Sequence, residues 1–296
     1  MQFRIVTDTS ANLPSELLEQ HGIPVIPFSY YVNGGEEANC LDTRKFNGKR
    51  FYDQIRAGAR VTTSQITPQR YIDTFRPYLE NGEDILFISM SSGISGSFHC
   101  SELAKEELAP EFPERKIMLI DTLGASLGEG IPVLRAVECR EKGMSIEETT
   151  EFVRTLCDRI CQVFTVDDLM YLRKGGRLSN MKAIVGTMLR IKPLLKGNER
   201  GQIVSFAKCR GRKHSIQALA ERYDMFVKDP GEQIVGIAHA DCEEDANYLI
   251  SLLNKNNPPK EILTVCYEPV TGSHVGPDTL ALFFEAVEGV RTKCDH

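Results

Sequence analysis

The 296-residue chain contains no tryptophan and no Cys-x-x-Cys pair, and its longest apolar runs are strand-sized. Runs such as 85–90 are far shorter than the roughly 20 apolar residues of a membrane-spanning helix, which excludes a spanning protein. Arg4 and Asp8 interrupt the first apolar run and no secretory signal is readable, so we expect a cytoplasmic protein. The nine scattered cysteines favour reduced thiols over a disulfide framework or a zinc site.

The sequence also lacks histidine and carboxylate clusters at metal-ligand spacing, and it has no P-loop, protein-kinase signature or dinucleotide fingerprint. We therefore expect no bound metal, no cofactor and no nucleotide chemistry within this chain. At 42% hydrophobic and 26% charged residues, the composition is that of a globular protein long enough for two domains.

Positive charge is concentrated in residues 173–213, which hold 12 Lys or Arg against one acid, Glu199, although the chain carries a net charge of −6. Such a cationic segment is a solvated basic face, an anion site, a docking surface for an acidic partner, or a nucleic-acid contact. Phe206 is its one aromatic residue, so stacking on bases has little support. We expect no nucleic-acid partner.

Short β-rich runs alternate with capped amphipathic segments in the first half of the chain. Strands are predicted at 3–7, 25–32, 85–90 and 116–121. This rhythm predicts an α/β fold in which a three-layer α/β/α domain with a mostly parallel sheet spans residues 1–163.

A second α/β domain is predicted for residues 164–296. Its strand patterns lie at 163–166, 202–208, 234–240 and 262–267, and its helical patterns at 213–227, 243–254 and 277–288. No linker rich in Pro, Gly or Ser separates the halves, so the boundary is soft, and we expect a ligand cleft between the domains.

Residues 91–97, with the sequence SSGISGS, directly follow the predicted strand 85–90 and precede the helical pattern 98–108. Ligands of parallel α/β sheets lie beyond the carboxyl ends of the strands, and a helix N-terminus there suits a carboxylate or a phosphate. The alternative is a plain turn whose serines only cap the helix. The spacing does not fit the G-x-S-x-G nucleophile elbow, which disfavours a serine hydrolase.

Other segments carry weaker signals. Residues 61–65 form a polar cluster that alone predicts a loop with a helix cap, and Asp8, at the end of the first strand, is also expected to be a cap. His274 lies in the Gly-rich stretch 271–277, before the predicted last helix, where an imidazole could face a ligand. Arg173, Arg177 and Arg210 can each offer forked donors to a carboxylate or a phosphate, or are solvated side chains at helix ends.

Taken together, five segments resemble the DegV family of bacterial proteins. They are DTSANLP at 8–14, TTSQ at 62–65, SSGISGS at 91–97, the run 166–179, and GPDTLALFF at 276–284. The resemblance spans nearly the whole chain and implies a three-layer α/β domain joined to a second α/β domain with a mixed sheet. It also implies the role of a FakB-type subunit of bacterial fatty acid kinase, which supplies phospholipid synthesis.

By this resemblance the chain is a non-catalytic carrier: it binds one long-chain fatty acid and presents the carboxylate to a separate kinase catalytic subunit that uses ATP. Thr63, Ser95 and His274 would contact the carboxylate, while Arg173 and Arg210 would face the phosphate or the kinase. Lipid exchange would involve transient contact with a membrane surface. The fatty acid is the one ligand implied.

This sequence departs from the family pattern at three positions. Asp278 and Ala281 replace common glycines, and Ile66 replaces a frequent proline. Asp278 either raises the proton affinity of His274 or caps the final helix, and we expect the cap.

The alternative from another class is an acyl hydrolase or transferase that uses Ser95 with His274. A third hypothesis is a nucleic-acid-binding regulator that uses the cationic segment.

Overall fold

The computed structural model describes residues 3–179 and 191–292. Two compact units contain them. The first unit comprises Met1–Phe46 and Val61–Cys157, and the second comprises Asn47–Arg60 and Asp158–His296.

The strands are, in chain order, β1 Phe3–Asp8, β2 Val25–Ile26, β3 Ser29–Val32, β4 Val61–Ser64, β5 Asp84–Ser89, β6 Ile117–Asp121, β7 Ile160–Thr165, β8 Ile191–Gly197, β9 Ile203–Arg210, β10 Ile234–His239, β11 Glu261–Cys266 and β12 Leu280–Glu285. The helices are α1 Ser15–Gln20, α2 Gly48–Arg56, α3 Pro68–Glu80, α4 Ser97–Leu108, α5 Leu127–Glu141, α6 Ile146–Cys157, α7 Met170–Gly175, α8 Arg212–Phe226, α9 Glu243–Asn256 and α10 Pro269–Val275. None of the helices in these described ranges is both long enough and apolar enough to cross a bilayer.

The main sheet of the first unit has the strand order β2-β1-β5-β6, and all its pairings are parallel, which confirms the predicted parallel sheet. The predicted strand 25–32 is instead two strands. It breaks at Pro27, which has no N–H for a sheet ladder, so that β2 pairs with β1 while β3 pairs with β4 in an antiparallel ribbon.

Helices cover both faces of this sheet. Thr7 of β1 is the register partner of Ile88, and its hydroxyl contacts Glu129 of α5. Successive residues of a strand point to opposite faces, so Phe87 lies on the other side, where its ring packs against Tyr71 and Phe75 of α3. The predicted three-layer arrangement is therefore confirmed.

The sheet of the second unit has the strand order β11-β10-β12-β7-β8-β9. Strands β10 and β11 are parallel, and the other pairings are antiparallel, which confirms the mixed sheet. Helices α8 and α9 supply Leu219, Tyr223 and Leu249 to a core with Leu280 and Phe284 of β12.

The helix predicted at 277–288 is wrong, because the chain forms strand β12 there. Residues 280–284 are apolar without a gap, so their pattern fits a buried helix as well as a strand. Leu282 faces the core of the second unit, and its neighbours Ala281 and Phe283 are also buried. A central strand buried on both faces produces this unbroken apolar run.

Candidate functional site

The segment 91–97, here called the serine turn, connects β5 to α4 at the carboxyl end of the parallel sheet. The Ser91 N–H donates to the Gly124 carbonyl at 2.8 Å, and the Ser92 N–H donates to Asp121 Oδ1 at 3.1 Å. Both acceptors lie where β6 leads into α5. The turn is therefore fixed on the neighbouring connection of the same sheet edge, where the sequence predicts a ligand.

Ser95 is half-buried, and its hydroxyl is bonded within the turn. Its oxygen accepts the Ser97 N–H at 3.2 Å, and its O–H donates to the Ser97 hydroxyl at 3.0 Å. These bonds span two residues within the turn, and the N-cap position of α4 is Gly96, which has no side chain to cap the helix. A hydroxyl has two acceptor sites and one rotatable proton, so Ser95 can keep accepting the Ser97 N–H while its O–H turns towards an anion. The positive end of the α4 dipole favours that anion.

The connection from β4 to α3 lies against the serine turn. The Ile66 N–H donates to the Ser97 hydroxyl at 3.1 Å, and a Cβ added at Gly96 would lie 2.5 Å from the Gln65 side chain. Thr63, two residues earlier, is half-buried, whereas its neighbour Thr62 is exposed. The structure therefore brings the segments of Thr63 and Ser95 together, and it places Thr63 on a strand rather than in the predicted loop.

Asp8 has the predicted capping role and an additional one. Its Oδ1 accepts the Ser10 N–H at 2.9 Å, which caps a 3-10 turn, and its Oδ2 accepts the Met90 N–H at 3.2 Å, directly before the serine turn. Burial raises the pKa of Asp8 to about 6. Glu129 of α5 is buried beside it and was missed by the sequence reading. The signal was available, since Glu129 is the lone charge in the run 127–134.

Three non-glycine residues at this sheet edge have left-handed backbone angles. They are Asn12 (φ 55°), Leu123 (φ 53°) and Ser126 (φ 55°, ψ −138°). The Asn12 side chain donates to the Ser126 hydroxyl at 3.2 Å and so links two of them. Such conformations cost of order 1–3 kcal/mol each and are concentrated at functional sites. The strain therefore marks the same edge as the serine turn.

In the second unit His274 lies on helix α10, not in the predicted loop. Glu268 caps this helix by accepting the Val270 N–H at 2.7 Å. Gly175 of α7 packs on the imidazole, because a Cβ there would lie 2.5 Å from His274 Nδ1. Burial, and to a smaller extent the charge of Arg177, lowers the pKa of His274 to about 4. The imidazole is therefore neutral at neutral pH and can accept or donate a hydrogen bond.

The two predicted phosphate-facing arginines are both exposed in the second unit. Arg173 lies in the last turn of α7, and Arg210 is the last residue of β9. Lys182 and Arg190 of the cationic segment lie outside the described residues. Arg177, which is half-buried, is the member of the segment whose charge acts on His274.

The capping role expected of Asp278 is wrong, because a strand rather than a helix follows it. Asp278 has φ +62°, which explains why a glycine suits this position, and its Oδ1 accepts a hydrogen bond from Arg56 of α2 at 2.9 Å. Arg56 also contacts Asp241, which has φ +59°. Asp278 therefore ties residues 47–60 to the rest of the second unit.

Metal binding finds no support in the described parts of the chain, which contain no group of three or more His, Cys, Asp or Glu side chains arranged to hold an ion. The cysteines described there, from Cys40 to Cys266, form no disulfide with one another.

Comparisons with known proteins agree with this fold. The chain matches the model of the DegV family of uncharacterised proteins over residues 2–287. A DegV domain-containing protein of Clostridium perfringens is 36% identical over 283 residues, which cover 96% of this chain and 97% of that protein. The solved structure of a fatty-acid-binding DegV family protein from Thermus thermophilus has a TM-score of 0.87 at 28% identity and covers 97% of this chain and 100% of that one. A DegV lipid-binding protein from Thermotoga maritima has a TM-score of 0.85 at 28% identity, with coverage of 97% and 99%.

Proposed function

Because this chain belongs to the DegV family, we propose that it binds one long-chain fatty acid non-covalently and holds the carboxylate at the serine turn. The observation that carries the proposal is the half-buried Ser95 hydroxyl at the N-terminus of α4, beside the segment of Thr63. The fatty acid and lipid binding of the solved family members supports it.

A carboxylate suits this turn because the groups proposed to contact it are neutral donors, whereas the nearby Asp121 carboxylate already accepts the Ser92 N–H. Ser95 and Thr63 each carry one O–H, and α4 adds the positive end of its dipole. A hydrogen bond to a charged acceptor stabilises a complex by about 1.5–3 kcal/mol, so two hydroxyls are enough to fix the head group. The assignment of His274 to the carboxylate stays a prediction from the resemblance.

The hydrocarbon tail needs an apolar surface next to the head group. Val61, on the same face of β4 as Thr63, is half-buried, and so are Ile94 and Phe98 on either side of Ser95. We propose that these side chains receive the first methylene groups of the tail. Each buried CH₂ adds about 0.8 kcal/mol, so the tail supplies most of the affinity and the hydroxyls set the orientation.

The first experiment identifies the lipid and then measures its affinity. Mass spectrometry of lipid extracted from the purified protein is expected to find one fatty acid per chain. After delipidation, Ser95→Ala and Thr63→Ala should each raise the Kd for that fatty acid by about 10-fold to 100-fold, the equivalent of one charge-assisted hydrogen bond.

Matched controls lie next to each residue. Ser92→Ala changes an exposed serine of the same turn, and Thr62→Ala changes the exposed neighbour on β4, so both should bind as the wild type does. Unchanged affinity in both Ser95→Ala and Thr63→Ala would show that the serine turn does not bind the carboxylate. A lipid-free protein that binds no added fatty acid would contradict the function itself.

We further propose that the chain presents the bound carboxylate, in the cytoplasm, to a separate ATP-dependent kinase subunit that forms the acyl phosphate. The resemblance of the motifs to FakB-type subunits supports this step, as do the exposed Arg173 and Arg210, which can meet a phosphate or an acidic partner.

In this proposal the chain itself is not catalytic. A serine nucleophile needs a base that takes its proton, whereas the Ser95 O–H donates to the Ser97 hydroxyl. Turnover of acyl esters by the purified protein, abolished in Ser95→Ala, would overturn this part of the proposal in favour of a hydrolase.

A further inference from the structure

Two buried carboxyl groups form one hydrogen-bonded cluster at the base of the serine turn. Asp8 is 1% exposed, and Glu129 is fully buried. Ser10 joins them, since its N–H donates to Asp8 Oδ1 and its hydroxyl donates to Glu129 Oε2. The Thr7 hydroxyl donates to Glu129 Oε1 at 2.8 Å.

Among the residues that the structure describes, the groups that face the pair do not neutralise two negative charges. The donors to the carboxyls are three backbone N–H groups and two hydroxyls, all of them neutral. Tyr71 of α3 also faces the pair, and burial, together with the charges of Asp8 and Glu129, raises its pKa, so it stays uncharged. Two adjacent buried carboxylates without a cation cannot both ionise at low cost, and such pairs retain a proton.

We propose that Asp8 and Glu129 share one proton and that, as positioning residues, they hold the serine turn in the form that binds a carboxylate. This inference rests on the proposed function of that turn. The mechanical link is Asp8 Oδ2, which accepts the N–H of Met90, the residue directly before Ser91. Ionisation of the second carboxyl adds like charge to the cluster, separates the pair, and places more negative charge behind the ligand's own carboxylate.

The direction of the pH effect follows from this arrangement. Burial raises the pKa of both carboxyls, with the charge of Asp8 as a further cause for Glu129. Folding therefore binds a proton that the unfolded chain releases, and the stability due to this proton is present below about pH 4 and lost as the pH rises through 6 and above. Fatty acid affinity is expected to fall in the same direction.

The shared proton is tested first without ligand. Infrared difference spectra at pH 7 should show the band of a protonated carboxyl group in the wild type and lose it in Glu129→Gln, which keeps the shape of the side chain. The unfolding constant of the wild type should rise by up to about tenfold per pH unit for the one proton, and that of Glu129→Gln should rise less. An identical band and identical pH dependence in both proteins would overturn the shared proton.

The positioning role is tested by titrating the delipidated proteins with palmitate at several pH values. The wild-type Kd should rise roughly fivefold or more between pH 6 and pH 9, the size of an ordinary coupling between two sites. Glu129→Gln should bind with a nearly constant Kd. Asp84→Asn is the matched control, because Asp84 is a buried carboxylate at the opposite end of β5, and it should keep the wild-type profile.

The outcomes separate the inference from the proposed function. Binding that weakens equally with pH in the wild type and in Glu129→Gln would overturn the positioning role while leaving the fatty acid site intact. Absence of palmitate binding in every protein would overturn the proposed function and this role with it, and the infrared and unfolding data would still decide the shared proton. If Glu129→Gln does not fold, Asp8→Asn replaces it. That variant should also flatten the profile, but with weaker binding at all pH values, because one N–H acceptor is lost.

Discussion

The two units differ in net charge and in the kind of groups that each contributes to anion binding in the proposed function. The first unit has 12 Lys and Arg against 22 Asp and Glu, and the second has 23 against 19. The proposed carboxylate site nevertheless lies in the acidic first unit, where hydroxyls and a helix end face the ligand. The exposed Arg173 and Arg210 lie in the second unit. A buried cation would have to be stripped of water, whereas hydroxyl groups and a helix dipole bind a single anion without that penalty.

Buried titratable groups show the same contrast. In the first unit burial raises the pKa values of Asp8 and Glu129, and in the second it lowers those of His274 and His239. All four shifts favour the neutral form, but they have opposite consequences. The carboxyl pair makes the protein less stable as the pH rises, and the histidines make it less stable as the pH falls.

The largest predicted effect tests the histidine side of this contrast. The pKa of His274 is about 4 when folded and near 6.5 when unfolded, so its contribution to stability is present above pH 6.5 and lost as the pH falls towards 4. The free energy of unfolding should fall between pH 7 and pH 4.5 in both proteins. In His274→Gln, whose side chain cannot be protonated, we expect this decrease to be smaller than in the wild type by roughly 2–3 kcal/mol. Urea denaturation at these two pH values measures the difference.

His99→Gln is the control, because His99 is exposed on α4. Glu129→Gln should change how the free energy of unfolding depends on pH on the alkaline side. On the acid side, the free energy of unfolding should fall more steeply in Glu129→Gln than in His274→Gln. A His274→Gln variant whose stability falls with acid as steeply as that of the wild type would break the contrast between the units.

Local patterns predicted the part of the fold that forms the proposed site. The run 85–90 became β5, and the serine turn and α4 followed as expected, because a buried parallel strand, a Gly and Ser turn and a helical pattern each leave a local signature. Thr63 was identified by the family resemblance, since a four-residue strand in a two-stranded ribbon has no periodicity of its own. The alternation of half-buried and exposed side chains along β4 became visible only in the structure.

The features that sequence reasoning missed depend on contacts between distant segments. Strand β12 lies between β10 and β7, and its apolar run has the same pattern as a buried helix. The pairing of Arg56 with Asp278 joins residues 222 positions apart, and Glu129 meets Asp8 across 121 positions. No local pattern encodes such pairs, although a single acid inside an apolar helix is a usable warning that a polar partner exists.

The second prediction concerns the exposed cations of the second unit. Arg210→Ala should slow acyl phosphate formation with the partner kinase by about tenfold or more, as expected for one lost charge-assisted hydrogen bond, while the fatty acid Kd stays unchanged. Lys208→Ala removes the same charge from the same strand and is the control, because both residues are exposed on β9. Equal rates for Arg210→Ala and wild type, measured at low salt, would remove Arg210 from the kinase-facing surface.

The smallest predicted effect concerns how each unit holds a left-handed residue. In the first unit a neutral side chain, Asn12, bonds to Ser126, and in the second Arg56 pairs with Asp278. Asp278→Gly relieves the positive φ but loses an exposed ion pair, and each change is about 1 kcal/mol or less. We expect the free energy of unfolding to change by less than about 0.5 kcal/mol. Asp278→Ala, which loses the pair and keeps the strain, should cost about 1 kcal/mol.

The ion pair is isolated by repeating both substitutions in an Arg56→Gln background. There Asp278→Gly loses no partner, so it should become stabilising by a few tenths of a kcal/mol, and the difference from the wild-type background gives the coupling energy, about 0.2–1 kcal/mol. High salt should reduce that coupling, because both side chains are partly exposed. A coupling energy of zero at low salt would mean that Arg56 does not help to hold Asp278 in its left-handed conformation. That conformation would then be held by the backbone hydrogen bond from the Asp278 N–H to the Ala240 carbonyl, at 2.8 Å.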